Sequence, residues 1–275
     1  MKEIFDRAVN FHKQNNFEQA EKIYKKLLVE NPNNYLVLGN LALLEIQLKR
    51  YPNAIDYLKK AIKVNANYEQ GYCNLGKVYY LLSDIKKSIK YYKKTIKINP
   101  QSEDAHYNFG YVLYKIGDHQ KAKIHFETSI IINPKNLNAQ NNLGLVLTKL
   151  GKTEDAIIIF NKIIDNNSNF GKAYFNLYPL LIKNHDTTKA LMCLEKAVSC
   201  SPQKIYYQIF LKILLEYSDK STEYKKKFYI NDGLSNYNKA LLDSWNYIKS
   251  KKTDKTKMIS STNNVLHLAK KYSKK

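Results

Sequence analysis

The 275-residue chain has little cysteine and no long hydrophobic run. Its three cysteines, Cys73, Cys193 and Cys200, form no CxxC pair, which excludes a disulfide framework and favours free thiols in a reducing compartment. No stretch of about 18 apolar residues occurs, and the first residues lack the apolar core of a secretion signal. These absences predict a soluble, cytoplasmic protein without a transmembrane segment.

Arginine is nearly absent, since Arg7 and Arg50 are the only arginines among 45 basic residues, although the formal net charge is +21. Clustered positive charge attracts nucleic acid or anionic membrane. The chain is also rich in Asn, Ile and Tyr, a bias that an AT-rich genome produces. Much of the charge is therefore interpreted as solvated lysine on helix surfaces, and nucleic acid is not the expected partner.

Motifs that carry catalysis or hold a cofactor are also missing. The chain shows no glycine-rich phosphate loop, and neither a nucleophile with its base nor a carboxylate pair placed for a cleft stands out. His106, His119 and His125 lie close together in sequence, but no Cys or carboxylate completes a metal set, which favours surface or packing histidines. We therefore expect no enzyme activity, no cofactor and no metal.

What the chain does contain is an internal repeat with a period of about 34 residues. Counted from Met1, the eighth and twentieth positions of each repeat are small with one exception. A glycine inside an apolar helix costs about 1 kcal/mol relative to alanine, so its recurrence indicates that two helices cross closely there. The eighth residues are Ala8, Ala42, Gly76, Gly110, Gly144 and the exception Tyr178; the twentieth are Ala20, Ala54, Ser88, Ala122, Ala156 and Ala190.

Two kinds of break divide each repeat into two helices. One contains glycine, as at Gly117 and Gly151, which can adopt the left-handed conformation at a helix end. The other is Asn-Pro or its relative, as at Asn99-Pro100 and Asn133-Pro134, where proline ends the second helix. The sequence thus predicts an array of antiparallel helix pairs.

The residues Leu143-Gly144, Ala156 and Phe160, with Leu75-Gly76, Tyr79, Tyr92 and Pro100, resemble the tetratricopeptide repeat. The resemblance covers residues 1–204. It implies an all-α fold, a right-handed superhelical solenoid in which the first helix of each pair, helix A, lines the concave face. The implied repeats are 1–34, 35–68, 69–102, 103–136, 137–170 and 171–204.

The pattern weakens towards the C-terminus. Pro179 falls inside helix A of the sixth repeat and removes the hydrogen bond to the carbonyl of Phe175, so we expect a kink or a local opening. Apolar residues at helical spacing predict capping helices within residues 205–248. Residues 249–275 contain nine lysines and one acidic residue and are predicted to form a flexible basic tail.

Asparagine recurs at position six of five repeats, and we call this column the asparagine ladder: Asn40, Asn74, Asn108, Asn142 and Asn176. The family resemblance places this position on the concave face. Asparagine is a mediocre helix former, and its carboxamide can bond both groups of a peptide unit in an extended ligand. The ladder therefore predicts polypeptide binding, and a packing bond within each repeat is the alternative.

A second asparagine column, at position 31, needs no ligand. These residues follow the second helix of each repeat, where a helix-ending turn accounts for them. Position six serves no turn. The column at position 31 consists of Asn31, Asn65, Asn99, Asn133 and Asn167.

Lys77, Tyr107 and Tyr111 complete the predicted peptide-binding groove, because the two tyrosines flank Asn108 one helical turn apart. A lysine-rich rim favours an acidic protein or peptide ligand. Further residues expected to face the groove are Cys73, Tyr80, Tyr114, Lys115, Asn141 and Lys149.

The ladder resembles that in the repeat domain of O-linked N-acetylglucosamine transferases, where it is implicated in holding substrate polypeptide. Only residues 205–275 follow the sixth repeat, too few for that family's sugar-nucleotide domain, so the resemblance implies the groove without the enzyme. Cochaperones that grip a C-terminal carboxylate match poorly, because one of five clamp positions agrees. Those positions hold Phe5, Val9, Asn40, Gln70 and Asn74, of which Asn40 agrees.

The expected function is a protein–protein interaction module that serves as an adaptor or assembly scaffold. Two alternatives stay open. One is a targeting subunit for a separately encoded glycosyltransferase or sulfotransferase. The other is an RNA or anionic-surface binder that uses the tail and the lysines of residues 86–97, although the latter are interpreted as a solvated convex face.

Overall fold

The structure is a computed structural model that describes residues 2–201 together with residues 205, 206 and 209. All regular elements in this part of the chain are α-helices, so the all-α prediction is confirmed. None of these helices is long and apolar enough to cross a bilayer. They are α1 (Lys2–Lys13), α2 (Phe17–Glu30), α3 (Tyr35–Gln47), α4 (Tyr51–Val64), α5 (Glu69–Leu81), α6 (Ile85–Ile98), α7 (Glu103–Lys115), α8 (His119–Ile132), α9 (Leu137–Lys149), α10 (Thr153–Asn166), α11 (Gly171–Lys183) and α12 (Thr187–Cys200).

The chain forms two compact units, residues 1–152 (unit 1) and residues 153–275 (unit 2). Unit 1 contains α1–α9, and the described helices of unit 2 are α10–α12. The capping helices predicted within 205–248 and the tail 249–275 lie outside the described residues, apart from the helical residues 205, 206 and 209.

Unit 1 has two faces of different construction. Each even-numbered helix packs between the odd-numbered helices before and after it, and each odd-numbered helix also contacts the next odd-numbered one. Among the described helices, no two even-numbered ones pack to that extent. The odd-numbered helices of unit 1 therefore line one face, here called the inner face, and the even-numbered helices form the opposite outer face.

The close helix crossings predicted at the small positions are present. A Cβ atom built on Gly76 would lie 2.8 Å from the ring of Tyr92, and one on Gly110 would lie 3.2 Å from Phe126. Those aromatic rings, which come from the even-numbered helices, fill the space that a side chain would need. The twentieth positions are also buried, at Ala20, Ala54, Ser88, Ala122, Ala156 and Ala190.

Most even-numbered helices begin with a capping side chain at position 16. The Oδ1 atoms of Asn16, Asp84, Asp118 and Asp186 each accept a hydrogen bond from the backbone N–H three residues later. A cap of this kind satisfies one of the unpaired donors at a helix N-terminus. Its recurrence at one position of four repeats fixes where these helices start.

Every turn from an odd-numbered to an even-numbered helix contains a residue in the left-handed conformation. Gly117 and Gly151 have φ angles of +87° and +76°, as predicted. The same position in the other four turns holds a residue with a side chain, which the glycine pattern did not predict. These residues are Asn15, Lys49, Ser83 and His185, with φ between +58° and +61°.

The turns from even-numbered to odd-numbered helices are built around the asparagine at position 31. Its Oδ1 atom accepts a hydrogen bond of 2.9–3.2 Å from the backbone N–H two residues later. This local bond makes an Asx turn. The predicted turn role is therefore confirmed for Asn31, Asn65, Asn99, Asn133 and Asn167.

Pro179 does not divide α11, which runs from Gly171 to Lys183 with the proline inside it. The side chain of Pro179 is exposed. The helix thus continues past the missing N–H donor, and its length equals that of α3, α5, α7 and α9.

Candidate functional site

Four residues of the asparagine ladder lie on helices of the inner face of unit 1. Asn40 is in α3, Asn74 in α5, Asn108 in α7 and Asn142 in α9, and all four side chains are half-buried. Because each of these helices contacts the next, the four amides form a column across neighbouring elements. Asn176 is also half-buried and lies on α11 in unit 2.

Two of these amides bond to their own helix. The Nδ2 atom of Asn40 donates to the carbonyl oxygen of Leu36 at 2.9 Å, and that of Asn108 donates to the carbonyl oxygen of Asp104 at 2.7 Å. Such a bond to the preceding turn gives a mid-helix asparagine an internal partner for its donor. The Oδ1 atom of each residue remains available as an acceptor.

The other two amides of unit 1 differ from each other. Asn142 donates from Nδ2 to the hydroxyl of Tyr107 on α7, at 3.4 Å, which is a long bond between neighbouring repeats. Asn74 forms no hydrogen bond with any residue that the structure describes. Across the four rungs, no Oδ1 atom accepts a hydrogen bond from the described residues, so the column presents four unused acceptors.

Aromatic and basic side chains stand beside these amides. The rings of Tyr80 on α5 and Tyr111 on α7 meet edge to face, with centroids 5.8 Å apart, and Lys115 Nζ lies 5.3 Å from the Tyr111 centroid. Burial raises the pKa of Tyr80 and of Tyr107, so both phenols stay neutral at physiological pH. Lys77 on α5 is exposed. Together they offer apolar contact area, hydroxyl groups and positive charge.

Two residues expected in the groove are buried instead, so that prediction is wrong for them. Cys73 is 4% exposed and Asn141 is 5% exposed. Both occupy position five. Cys73 lies near the start of α7, where the negative charges of Asp104 and Glu103 add to the effect of burial on the pKa of its thiol. Burial raises the pKa of Cys73 to about 12, so this thiol is neither a groove contact nor a nucleophile. Of the others, Tyr114 is half-buried and Lys149 exposed.

A carboxylate at the start of α7 links neighbouring repeats, a contact that the sequence did not predict. Glu103 accepts hydrogen bonds from Ser129 Oγ at 2.7 Å and from Asn136 Nδ2 at 2.6 Å. One repeat earlier, Glu69 accepts a hydrogen bond from the hydroxyl of Ser102. These bonds hold the start of one odd-numbered helix to the start of the next.

A signal for this link is present in the sequence. The positions of Glu69 and Ser102 are occupied one repeat earlier by Tyr35 and Tyr68, whose ring centroids are 5.1 Å apart. Both members of the pair thus change together, from two tyrosines in the second repeat to glutamate and serine in the third. Joint changes at the first and last positions of the repeat therefore indicate contact.

His106 and His125 join α7 to α8. Their Nδ1 atoms are 3.0 Å apart, and His106 Nε2 lies 3.1 Å from the carbonyl oxygen of Pro100. Because a carbonyl only accepts, Nε2 of His106 carries a proton, and Nδ1 of neutral His106 accepts from His125. Burial lowers the pKa of His125 to about 4 and lowers that of His106. These two are packing residues, and the described residues contain no group of three metal-ligating side chains.

Sequence profiles of one family match most of unit 1 and the start of unit 2. Those described as tetratricopeptide repeat match residues 4–34, 70–102, 91–124 and 137–170, and one described as TPR repeat matches residues 42–83. Together they cover more than half of the chain.

The chain is similar to the Hsp70-Hsp90 organising protein of Plasmodium falciparum, with 30% identity over 73 residues. That match spans 26% of this chain and 13% of the relative, so it concerns a small part of that protein.

Two solved structures show the likeness of fold. A tetratricopeptide repeat protein from Parabacteroides merdae has a TM-score of 0.64 at 20% identity, covering 98% of each chain. YrrB, described as a TPR protein with an unusual peptide-binding site, has a TM-score of 0.56 at 21% identity, covering 66% of this chain and 94% of that one.

Proposed function

This chain belongs to the tetratricopeptide repeat proteins, and we propose that unit 1 binds an extended polypeptide along its inner face and acts as an adaptor or assembly scaffold. The role requires no catalytic group. The proposed contacts are Asn40, Asn74, Asn108, Asn142, Lys77, Tyr107 and Tyr111.

The observation that carries the proposal is the column of four unused Oδ1 acceptors on contacting helices. An extended polypeptide presents main-chain N–H groups along its length, and an amide oxygen can accept from each of them. Asn74 also has a free donor for a ligand carbonyl. Because main-chain groups occur in every sequence, such a column binds polypeptides with little dependence on their side chains.

The neighbouring side chains support this reading and favour an acidic ligand. Tyr107 and Tyr111 lie on either side of Asn108 on α7 and provide contact area with a polar tip. Lys77 and Lys115 are exposed on adjacent inner helices, and opposite charge steers association. YrrB, which shares this fold, is described as having an unusual peptide-binding site, and this supports the proposal of a peptide ligand.

The ladder can be tested with the triple variant Asn74→Ala, Asn108→Ala and Asn142→Ala. Peptides would first be selected on the wild-type protein from a displayed library of disordered segments, and their affinities then measured by calorimetry. Loss of three hydrogen bonds, each worth about 1 kcal/mol, should weaken binding by roughly a hundredfold. Far-ultraviolet circular dichroism should remain that of the wild type.

The matched control replaces three asparagines at position 31, with Asn31→Ala, Asn65→Ala and Asn133→Ala. These residues make Asx turns, so the control should lose stability and keep its affinity for the peptide. Equal affinity of the ladder variant and the wild type would contradict the proposal, as would equal losses in both variants.

Four predictions from the sequence remain untested. Asn176 is a predicted rung in unit 2. The likeness of the ladder to that of the N-acetylglucosamine transferases, and a targeting role for a separately encoded transferase, also remain predictions. RNA binding through the tail concerns residues 249–275, which lie outside the described residues.

A further inference from the structure

The outer face of unit 1 carries two equivalent lysine triplets. Positions 25, 26 and 29 of the second and third repeats are all lysine, and all six side chains are exposed on α4 and α6. We call this set the outer lysine patch. It consists of Lys59, Lys60, Lys63, Lys93, Lys94 and Lys97.

The charge of this patch is not neutralised within the described residues. None of the six ammonium groups lies within 4.0 Å of a described carboxylate. The helix α6 contains no acidic residue at all. Lys60 and Lys94 instead lie over tyrosine rings, with Nζ 5.9 Å and 5.7 Å from the centroids of Tyr57 and Tyr72. Asp56, one turn before Lys59 and Lys60 on α4, is the one acidic residue of these two helices, so the patch keeps a net positive charge.

Exposed aliphatic side chains flank the patch on both sides. Position 29, which is Lys63 and Lys97 in the patch, is Val29 on α2 and Ile131 on α8, and these two residues are 82% and 78% exposed. Val64, at the end of α4, is exposed as well. Lysine next to exposed aliphatic groups is the composition of surfaces that lie in a membrane interface, with ammonium groups at the phosphates and aliphatic groups among the headgroups.

Nucleic acid fits this surface less well. Single strands are held by exposed aromatic rings and arginine, and Tyr57 and Tyr72 are half-buried beneath lysines. The chain has only Arg7 and Arg50, and Arg50 is paired with Glu21 and Glu45. Highly exposed valine and isoleucine contribute nothing to phosphate contact.

We infer that the outer face of unit 1 docks onto an anionic bilayer surface through the outer lysine patch, with Val29 and Ile131 in the headgroup region. Each lysine close to such a surface strengthens binding by about fivefold. The inner face lies on the other side of unit 1, so a bound polypeptide and a bilayer would not compete. The inference does not depend on peptide binding.

The test measures sedimentation of the full chain with vesicles. The patch variant carries Lys59→Gln, Lys63→Gln, Lys93→Gln and Lys97→Gln. The control carries the same substitution at Lys13, Lys49, Lys149 and Lys152, which are exposed at or just after the ends of α1, α3 and α9. Wild type and control should bind vesicles of phosphatidylcholine with phosphatidylserine and should not bind phosphatidylcholine alone. The patch variant should bind the mixed vesicles at least roughly a hundredfold more weakly. Equal losses in both variants, or no binding by the wild type, would overturn the inference.

A second measurement reports which face touches the lipid, independently of the lysines in the tail. A bimane label is placed at Ile131→Cys on the outer face or at Gln70→Cys on an inner-face helix, both in a Cys200→Ser background because the other two cysteines are buried. Nitroxide-labelled phosphatidylserine should quench the label at 131 and leave that at 70 unchanged. Quenching at 70, or none at 131, would overturn the inference.

A third measurement separates lipid from nucleic acid. The double variant Val29→Ser and Ile131→Ser should bind mixed vesicles several-fold more weakly and a polyuridine oligonucleotide as strongly as the wild type. If the patch variant loses oligonucleotide binding but keeps vesicle binding, the patch is a nucleic-acid surface and the inference is wrong.

Discussion

At the residue scale, Lys49 and Ser83 hold a backbone conformation that suits glycine. Their φ angles are +58° and +61°, whereas the equivalent turns further along use Gly117 and Gly151. The left-handed conformation costs a residue with a β-carbon roughly 1 kcal/mol, because that carbon approaches the following carbonyl oxygen. The turn closes in both cases, so the surrounding helix pair holds the strained residue in place.

Replacement of Lys49 and Ser83 by glycine should therefore stabilise unit 1. The relief of strain exceeds the extra flexibility that glycine brings to the unfolded chain, and a net gain of about 0.5 kcal/mol for each substitution is expected. Urea unfolding followed by circular dichroism would show a higher midpoint with an unchanged slope.

Asn15 provides the matched control for this prediction. It has a φ of +61°, and asparagine tolerates that region better than lysine or serine. Asn15→Gly should therefore change the midpoint less, and Gly117→Ala should lower the stability by about 1 kcal/mol. A stabilised Gly117→Ala protein would show that the turns impose no strain.

At the element scale, the contact between α7 and α8 makes stability depend on pH. The ordinary pKa of histidine is 6.5, and burial lowers that of His125 to about 4. As the pH falls, the unfolded chain binds this proton before the folded chain does. The contribution to stability is complete above pH 6.5 and is lost as the pH falls from 6.5 towards 4.

The double variant His106→Gln and His125→Tyr should remove that dependence. Gln140, one repeat after His106, already donates from Nε2 to the carbonyl of Pro134 at 2.7 Å, and Tyr91 occupies the position of His125 in the preceding repeat. Between about pH 7 and pH 5 the wild type should lose about 2 kcal/mol more than the variant. Parallel curves of unfolding free energy against pH would contradict this.

The carboxylate link between repeats supports a second element-scale prediction. Glu103→Ala would leave Ser129 Oγ and Asn136 Nδ2 without their acceptor, which should lower the unfolding free energy by about 1–2 kcal/mol. Asp104→Ala removes a neighbouring exposed carboxylate from the first turn of α7, so it measures the helix-dipole effect alone. Denaturant unfolding should show that Asp104→Ala lowers the unfolding free energy by a few tenths of a kcal/mol. Equal losses in the two variants would contradict a stabilising role for the contacts of Glu103.

The features predicted correctly are those at which the same residue type recurs at one position of several repeats. Gly76 and Gly110 marked the close crossings, and Asn99 and Asn133 marked the Asx turns, because each residue type has one physical reason to recur there. Lys49 shows what such a marker misses, since tertiary packing imposes a conformation that lysine itself disfavours. Because Lys49 occupies the same repeat position as Gly117, two repeats earlier, the left-handed conformation at Lys49 could have been predicted from the repeat alignment.

Side-chain exposure on a shared helix was harder to predict than the helix itself. Cys73 and Asn74 are adjacent, yet the thiol is buried against α7 and the amide is half-buried without a partner among the described residues. A rotation of about 100° per residue separates them, and the repeat pattern does not say which side meets the next repeat. The hydrogen bonds of the ladder amides likewise depend on side-chain geometry that the repeat pattern does not contain.

At the scale of the whole molecule, the dominant property is a net charge of +21. Within residues 2–201, ion pairs between distant residues are few and involve Arg50. The ion pairs present in the described residues are mostly local, such as Lys87 with Asp84 and Lys121 with Asp118. Mutual repulsion of so many like charges opposes the folded state, and salt screens it.

Added sodium chloride should therefore raise the melting temperature of the wild-type protein by a few degrees. The patch variant, which lacks four of the exposed lysines on α4 and α6, should melt higher at low salt and respond less to salt. Scanning calorimetry over a series of salt concentrations would measure both effects. A melting temperature that falls with salt would show that attractive ion pairs dominate.

The Asx turns at position 31 have an evolutionary consequence. Each is closed by the same bond between an asparagine and the backbone two residues later, so every seam between repeats has the same local chemistry. A duplication or deletion of one whole repeat with its ends inside these turns rejoins equivalent atoms. Gene recombination can thus lengthen or shorten the array, and with it the number of ladder rungs, without inventing a new junction.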